Sequence, residues 1–124
     1  MKEIIYTNKA PEPVGPYSQA IKVNGFLYCS GQIAINPETN QFVDGDIIEQ
    51  TNQVMKNIEA VLAQAGYSFN DVIKTMCFLD NMSNFAAFNE IYAKHFVSKP
   101  ARSCVEAKLP KNAKVEVEVI AYKA

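Results

Sequence analysis

The sequence predicts an α+β sandwich, a β-sheet with two helices packed on one of its faces. Three observations predict it. The 124 residues fit one domain spanning 1–124. Apolar residues recur at helical spacing in two separated segments, with a strand-like run after each. Period-two alternation returns at the end of the chain, and an Asn-Gly hairpin signal lies near its start.

Residues 2–7 read as a short strand, which Ala10-Pro11-Glu12-Pro13 and Gly15-Pro16 interrupt with an irregular loop. Segments 17–23 and 26–29 flank Asn24-Gly25 and form a hairpin. Residues 31–35 extend its second arm, and Asn36-Pro37-Glu38-Thr39-Asn40 makes the next turn. From Asp46 the period becomes helical. Ile48, Thr51, Met55, Ile58, Leu62 and Ala65 share a face that Val54 and Val61 widen, and Gly66 ends the helix in a left-handed conformation. Residues 71–79 form a mostly buried strand. A second helix spans 83–96, with Ser83 as N-cap and Phe85, Phe88, Tyr92 and Phe96 at helical spacing. Segments 102–107 and 114–121 both alternate, joined by a loop containing Leu109-Pro110-Lys111-Asn112.

Composition excludes several classes. At 48% apolar and 20% charged residues the chain is that of a soluble globular protein. Twelve basic against 13 acidic side chains leave a net charge of −1, which speaks against a nucleic-acid partner. No apolar run reaches membrane-span length and the N-terminus carries no apolar signal segment, so no membrane association is expected. Cys29, Cys77 and Cys104 are odd in number and follow no metal or redox spacing, which suits free thiols in a reducing cytoplasm. No Walker loop, dinucleotide fingerprint, EF-hand or zinc spacing is present, and none calls for a cofactor.

All the basic residues but one are lysines; the exception is Arg102. Only arginine offers a planar fork that grips a carboxylate through two parallel hydrogen bonds, so Arg102 is a candidate ligand-binding residue, weighed against a plain surface arginine. Strand parity places Val115, Val117, Val119 and Ala121 on one face, and Lys114, Glu116, Glu118 and Ile120 on the other. In the preceding strand Arg102, Cys104 and Glu106 share one face, and Ser103, Val105 and Ala107 the other. With the valine faces receiving the helices, the second sheet face carries a cation, a thiol and several carboxylates. Parity leaves two readings open: a wet outer surface, or a sheet that meets copies of itself and collects its charges in a crevice. His95, the only histidine, sits in a helix's last turn and suits the helix dipole better than catalysis. Cys104 lacks an activating histidine and reads as a packed thiol. Ser30 precedes Gly31 without a G-x-S-x-G elbow, so a serine hydrolase does not fit. Tyr17 is either displayed at a rim or packed.

Gly15-Pro16-Tyr17-Ser18-Gln19-Ala20, Cys29-Ser30-Gly31-Gln32-Ile33 and Pro100-Ala101-Arg102-Ser103-Cys104-Val105-Glu106 occur in order, followed by Leu109-Pro110 and Val115-Glu116-Val117-Glu118-Val119-Ile120-Ala121. In these motifs the chain resembles the RidA (YjgF) family of reactive-intermediate deaminases over essentially its whole length. The resemblance implies a chorismate-mutase-like α+β fold assembled as a homotrimeric barrel, with sites in clefts between subunits. It implies hydrolysis of 2-imino acids such as 2-iminobutanoate and 2-iminopropanoate to 2-oxo acids and ammonia, without a cofactor. Such imines leak from pyridoxal-phosphate-dependent dehydratases. By the same resemblance Arg102 holds the substrate carboxylate and Glu116 activates water. Backbone groups of Gly31 and Cys104 line the reacting atoms, and Tyr17, Ser30, Asn89 and Phe88 complete the pocket.

A carboxylate near a cation stays ionised, so Glu116 is expected to accept a proton at neutral pH. The chain departs from the family pattern at Val105-Glu106-Ala107-Lys108-Leu109-Pro110, one residue shorter than V-E-V-A-R-L-P. That puts the pairing of the last two strands in doubt, and with it the choice between Glu116 and Glu118. Two other functions compete. Some relatives are described as endoribonucleases inhibiting translation, which one histidine and no basic run support weakly. A regulatory module binding small carboxylates fits the same pocket; loss of Glu116 would leave its affinity intact, whereas a deaminase would bind and stop turning over.

Overall fold

Asn24 and Gly25 both take positive φ, 51° and 83°, the mirror-image turn whose twist suits a two-residue hairpin. In the computed structural model, which describes residues 1–124, this turn joins β2 (Ala20–Val23) to β3 (Phe26–Cys29). β1 (Glu3–Ile5) pairs antiparallel with β2. The expected extension of β3 through 31–35 does not form. The chain leaves β3 after Cys29, and the Ile33 and Ile35 carbonyls accept from Asn57 Nδ2 at 3.2 and 2.9 Å. With those acceptors taken by a helix side chain, the segment becomes a small separate hairpin of β4 (Ile35–Asn36) and β5 (Gln41–Phe42).

Helix α1 (Ile47–Ala65) begins at a capping box: Asp46 Oδ1 accepts from Glu49 N at 2.8 Å, and Glu49 Oε1 accepts from Asp46 N at 3.4 Å. Gly66 closes it at φ 87°, as expected. Its buried stripe runs Ile47, Thr51, Val54, Ile58, Val61 and Ala65, at alternating steps of four and three. Ile48, expected on that face, is instead 48% exposed because Ile47 occupies the stripe's first position. Helix α2 (Phe85–His95) starts later than predicted, after a 3₁₀ turn over Met82–Asn84. Ser83 is not its cap: Asn81 Oδ1 accepts from the Ser83 N–H at 2.8 Å, so Ser83 receives the capping bond. No helix is long and apolar enough to cross a membrane.

β6 (Val72–Leu79), β7 (Ala101–Glu106) and β8 (Val115–Tyr122) complete the main sheet, in the order β1-β2-β3-β8-β6-β7. β6 pairs antiparallel with β8 and parallel with β7. The last two strands therefore never touch, and their shortened connection cannot shift a pairing between them. Leu27, Cys77, Leu79, Val115 and Val117 are fully buried between the sheet and the helices, with Val54 and Phe88 facing them. Each such aliphatic or aromatic side chain contributes roughly 1.5–3 kcal/mol by leaving water.

Register settles which face is which. Thr75 lies opposite Val119 and Arg102, Cys77 opposite Val117 and Cys104, and Leu79 opposite Val115 and Glu106. Arg102, Cys104 and Glu106 thus stand on the helix side of the sheet. Val105, expected beneath the helices, is 44% exposed on the other side. Glu116 and Glu118, opposite Phe78 and Met76, share that other side. The expected gathering of Arg102 with Glu116 and Glu118 on one face is overturned: within one chain they occupy opposite faces.

Candidate functional site

On the face away from the helices, Gln32 makes one bridge to β8, donating to Val117 O at 2.9 Å and accepting from Val117 N at 3.2 Å. This lays the Gly31 backbone against the Glu116 carboxylate. A methyl group at Gly31 would meet the Glu116 carboxyl carbon at 2.9 Å, so the close approach requires glycine. Burial, and secondarily Glu118, push the Glu116 carboxyl above its usual range. Arg102, on the opposite face, does not offset this, contrary to the sequence expectation. Ser30 Oγ donates to Ser18 O at 2.6 Å, which leaves only its lone pairs for another group. Tyr17, half-exposed, accepts from Val14 N at 3.3 Å and stands at the rim. Together with Lys111, these residues surround a cleft of about 470 Å³.

Gln19 holds the cleft's outer wall. Only 2% exposed, its Nε2 donates to Thr7 O and Pro11 O, both at 2.9 Å, and its Oε1 accepts from Thr7 N at 2.7 Å. These bonds fix the loop of residues 7–11, whose backbone groups have no strand to pair with. Glutamine reaches both a donor and acceptors at once, a role that depends on partners 8 to 12 residues away and carries no local sequence signature.

On the helix side, Arg102 projects from β7 toward α2. Its Nη1 donates to Asn89 Oδ1 at 2.6 Å, and its guanidinium carbon lies 4.7 Å from the centre of the Tyr92 ring and 5.4 Å from that of Phe85. Phe85, Asn89 and Tyr92 follow steps of four and three along α2, and so share one stripe. That spacing is present in the sequence, whereas the resemblance implied a pocket role for Phe88. Phe88 is fully buried, its ring 5.6 Å from that of Tyr92, and lines neither opening. Burial raises the half-buried Cys104 thiol, and Arg102 only partly opposes it, so the group is a thiol rather than a thiolate. A second opening of about 660 Å³, lined by Asn89, Tyr92, Pro100 and Arg102, lies here.

The chain thus carries two separate clusters. One has a cation with most of its guanidinium donors uncommitted; the other has a raised carboxylate beside backbone groups and hydroxyls. No group of three or more His, Cys, Asp or Glu side chains is placed to hold a metal ion.

Comparison with known proteins bears on this arrangement. The family model described as endoribonuclease L-PSP matches residues 7–123. A RutC family protein of Pyrococcus horikoshii is 56% identical over 125 residues, covering 99% of each chain. Among solved structures, the Rid family protein YyfA of Yersinia pestis is 52% identical with a TM-score of 0.96, covering 99% of this chain and 100% of that one. TdcF of E. coli, solved with bound serine, is 35% identical with a TM-score of 0.92, covering 98% of this chain and 99% of its own.

Proposed function

The chain belongs to the YjgF/RidA family, described as endoribonuclease L-PSP, and from that premise we propose that it hydrolyses 2-imino acids to 2-oxo acids and ammonia in sites shared between copies of itself. The observation that carries this reading is the division of the candidate residues between two faces. Arg102, Asn89 and Cys104 form one half, and Tyr17, Ser30, Gly31 and Glu116 the other. Neither half has both the carboxylate grip and the base. A ring of three copies, each laying its Arg102 half over its neighbour's Glu116 half, completes every site by one repeated contact.

In such a site Arg102 holds the substrate carboxylate through two parallel N–H donors. The protonated imine carbon then faces a water on Glu116. Glu116 takes a proton as the water oxygen bonds to that carbon, and gives it to the nitrogen of the resulting carbinolamine. The C–N bond breaks, ammonia leaves, and the hydroxyl proton returns through Glu116 to ammonia. A carboxyl raised by burial suits both halves of this shuttle, since a base closer to neutrality accepts and returns a proton more readily. The serine in TdcF supports a small ligand bearing a carboxylate.

Cleavage of RNA is less well supported. The net charge is −1, and His95 has its Nδ1 3.0 Å from Ile91 O and its ring 5.3 Å from that of Phe69, and it lines neither opening.

The test couples the protein to a serine/threonine dehydratase that releases 2-iminobutanoate or 2-iminopropanoate, with semicarbazide as a competing trap. Wild type is expected to divert imine from the trap to 2-oxo acid, and Arg102→Ala is not. Full hydrolysis by Arg102→Ala would sink the assigned role. Inactivity of wild type with retained carboxylate binding would make the protein a binding module.

A further inference from the structure

We infer that Tyr92, pinned by Thr75, is a positioning residue that sets the orientation of the Arg102 guanidinium. The inference rests on reading Arg102 as the carboxylate anchor and adds to it the device that aims the anchor. Thr75 and Arg102 are register neighbours on adjacent strands, both on the helix side of the sheet. Tyr92 descends from α2 onto both. Its Oη lies 2.7 Å from Thr75 Oγ1, buried, and its ring stands 4.7 Å from the guanidinium carbon. One side chain therefore ties helix, inner strand and edge strand together at the point where the cation emerges.

The geometry suits a planar ligand. An aromatic ring attracts the flat face of a guanidinium, while a carboxylate is gripped in the guanidinium plane. The guanidinium carbon lies over the Tyr92 and Phe85 rings, and Asn89 Oδ1 takes one of the five N–H donors. The remaining in-plane donors stay uncommitted. Without the ring, a long side chain on an edge strand would sample several rotamers, and ordering it would oppose binding. The ring does the aiming, and its hydroxyl additionally fastens it to β6, the strand beneath. Thr75, fully buried, supplies the one hydroxyl that position requires.

A carboxylate grip acts equally on bound substrate and transition state, so misaiming it raises KM and leaves kcat nearly unchanged. Tyr92→Leu is expected to raise KM for the imine roughly tenfold with kcat within about twofold, and Tyr92→Phe to restore most of the loss. A readout independent of turnover is available because Arg102 is the only arginine. Its Nε–Hε group gives a single side-chain signal in a ¹⁵N–¹H spectrum, displaced by the ring currents of Tyr92 and Phe85. Tyr92→Leu should move that signal toward the free-arginine position, and Tyr92→Phe should leave it near its native place.

If the leucine variant fails to fold by thermal melting, Tyr92→Met fills the volume without an aromatic face and takes its place. A folded Leu or Met variant with unchanged KM and an unmoved signal overturns the inference. Arg102→Ala, run alongside, separates the two levels. Full activity there defeats the reading of Arg102 as the carboxylate anchor, while the Nε–Hε signal in the Tyr92 variants still decides whether the ring aims the guanidinium.

Discussion

Two inactive variants should restore each other. Arg102→Ala removes the proposed carboxylate anchor and Glu116→Gln the proposed proton acceptor; removing a general base typically costs about 10²–10⁴-fold, and removing a bidentate cation about 2–5 kcal/mol. At imine concentrations below KM each homogeneous variant should therefore retain about a few hundredths of wild-type activity or less. Because the two residues stand on opposite faces of one sheet, every proposed site draws Arg102 from one copy and Glu116 from another. In a randomly reassorted equal mixture each half is intact with a chance of one in two, so about a quarter of sites are whole. That fraction holds for any closed ring of copies. Co-refolding the two variants from guanidinium and measuring imine hydrolysis checks it. Activity climbing to about a quarter of wild type is the expected result. Activity staying at the mean of the two parents after verified exchange would refute the two-face argument, since a site complete within one protomer cannot be rescued by its neighbour.

Gly31→Ala should lower kcat by roughly a hundredfold with little change in melting temperature, because a methyl there displaces the Glu116 carboxylate rather than any core group; steady-state kinetics beside a thermal melt would show whether the two effects separate. Glu118→Gln removes a negative charge that raises the Glu116 carboxyl. The acidic limb of the kcat profile should therefore move to lower pH while burial keeps it above the ordinary carboxylate range; an unmoved limb would show that another group titrates there. Asp46→Ala should destabilise the fold by about 1 kcal/mol through loss of the α1 cap, read as a lowered denaturation midpoint with an unchanged slope. Burial pushes the Cys77 thiol up to about 12, so in native protein at pH 8 it should resist iodoacetamide while half-buried Cys104 labels first. Peptide mapping that finds both thiols labelled at equal rates would contradict that ordering.

Local signals were legible in the sequence where the chemistry was local. The Asn24-Gly25 turn and the Gly66 stop follow from backbone conformations few other residues adopt, and the helical stripe of α1 from simple periodicity. Parity also grouped Arg102 with Cys104 and Glu106 correctly. It could not say which face that group occupies, because alternation fixes sides within a strand and not between strands. The deciding fact is the parallel register of β7 on β6, which a long helical crossover sets. Val105 misled for the same reason: on a sheet face without helices, an apolar side chain looks like core until its neighbours are known. Phe88 and Tyr92 were indistinguishable as members of one aromatic run. Only the position of Arg102 beneath α2 separates the buried ring from the one that meets a cation. The buried amides of Gln19 and Asn57 had no sequence signal, since each serves backbone carbonyls of a loop whose path was not predictable.

The place of β8 in the sheet has a consequence for how the chain is made. β8 is the last element, yet it lies in the middle, pairing Tyr28 with Ile120 on one side and Phe78 with Glu116 on the other. During synthesis β1 to β3 can zip locally, and β6 and β7 can gather under their helices. Between these two halves there is a gap one strand wide, and both of its edges carry unpaired backbone groups. Closure must wait for the most distant partners in the sequence, which slows folding and prolongs the exposure of two adhesive edges. A truncation that removes β8 would not trim the sheet but divide it.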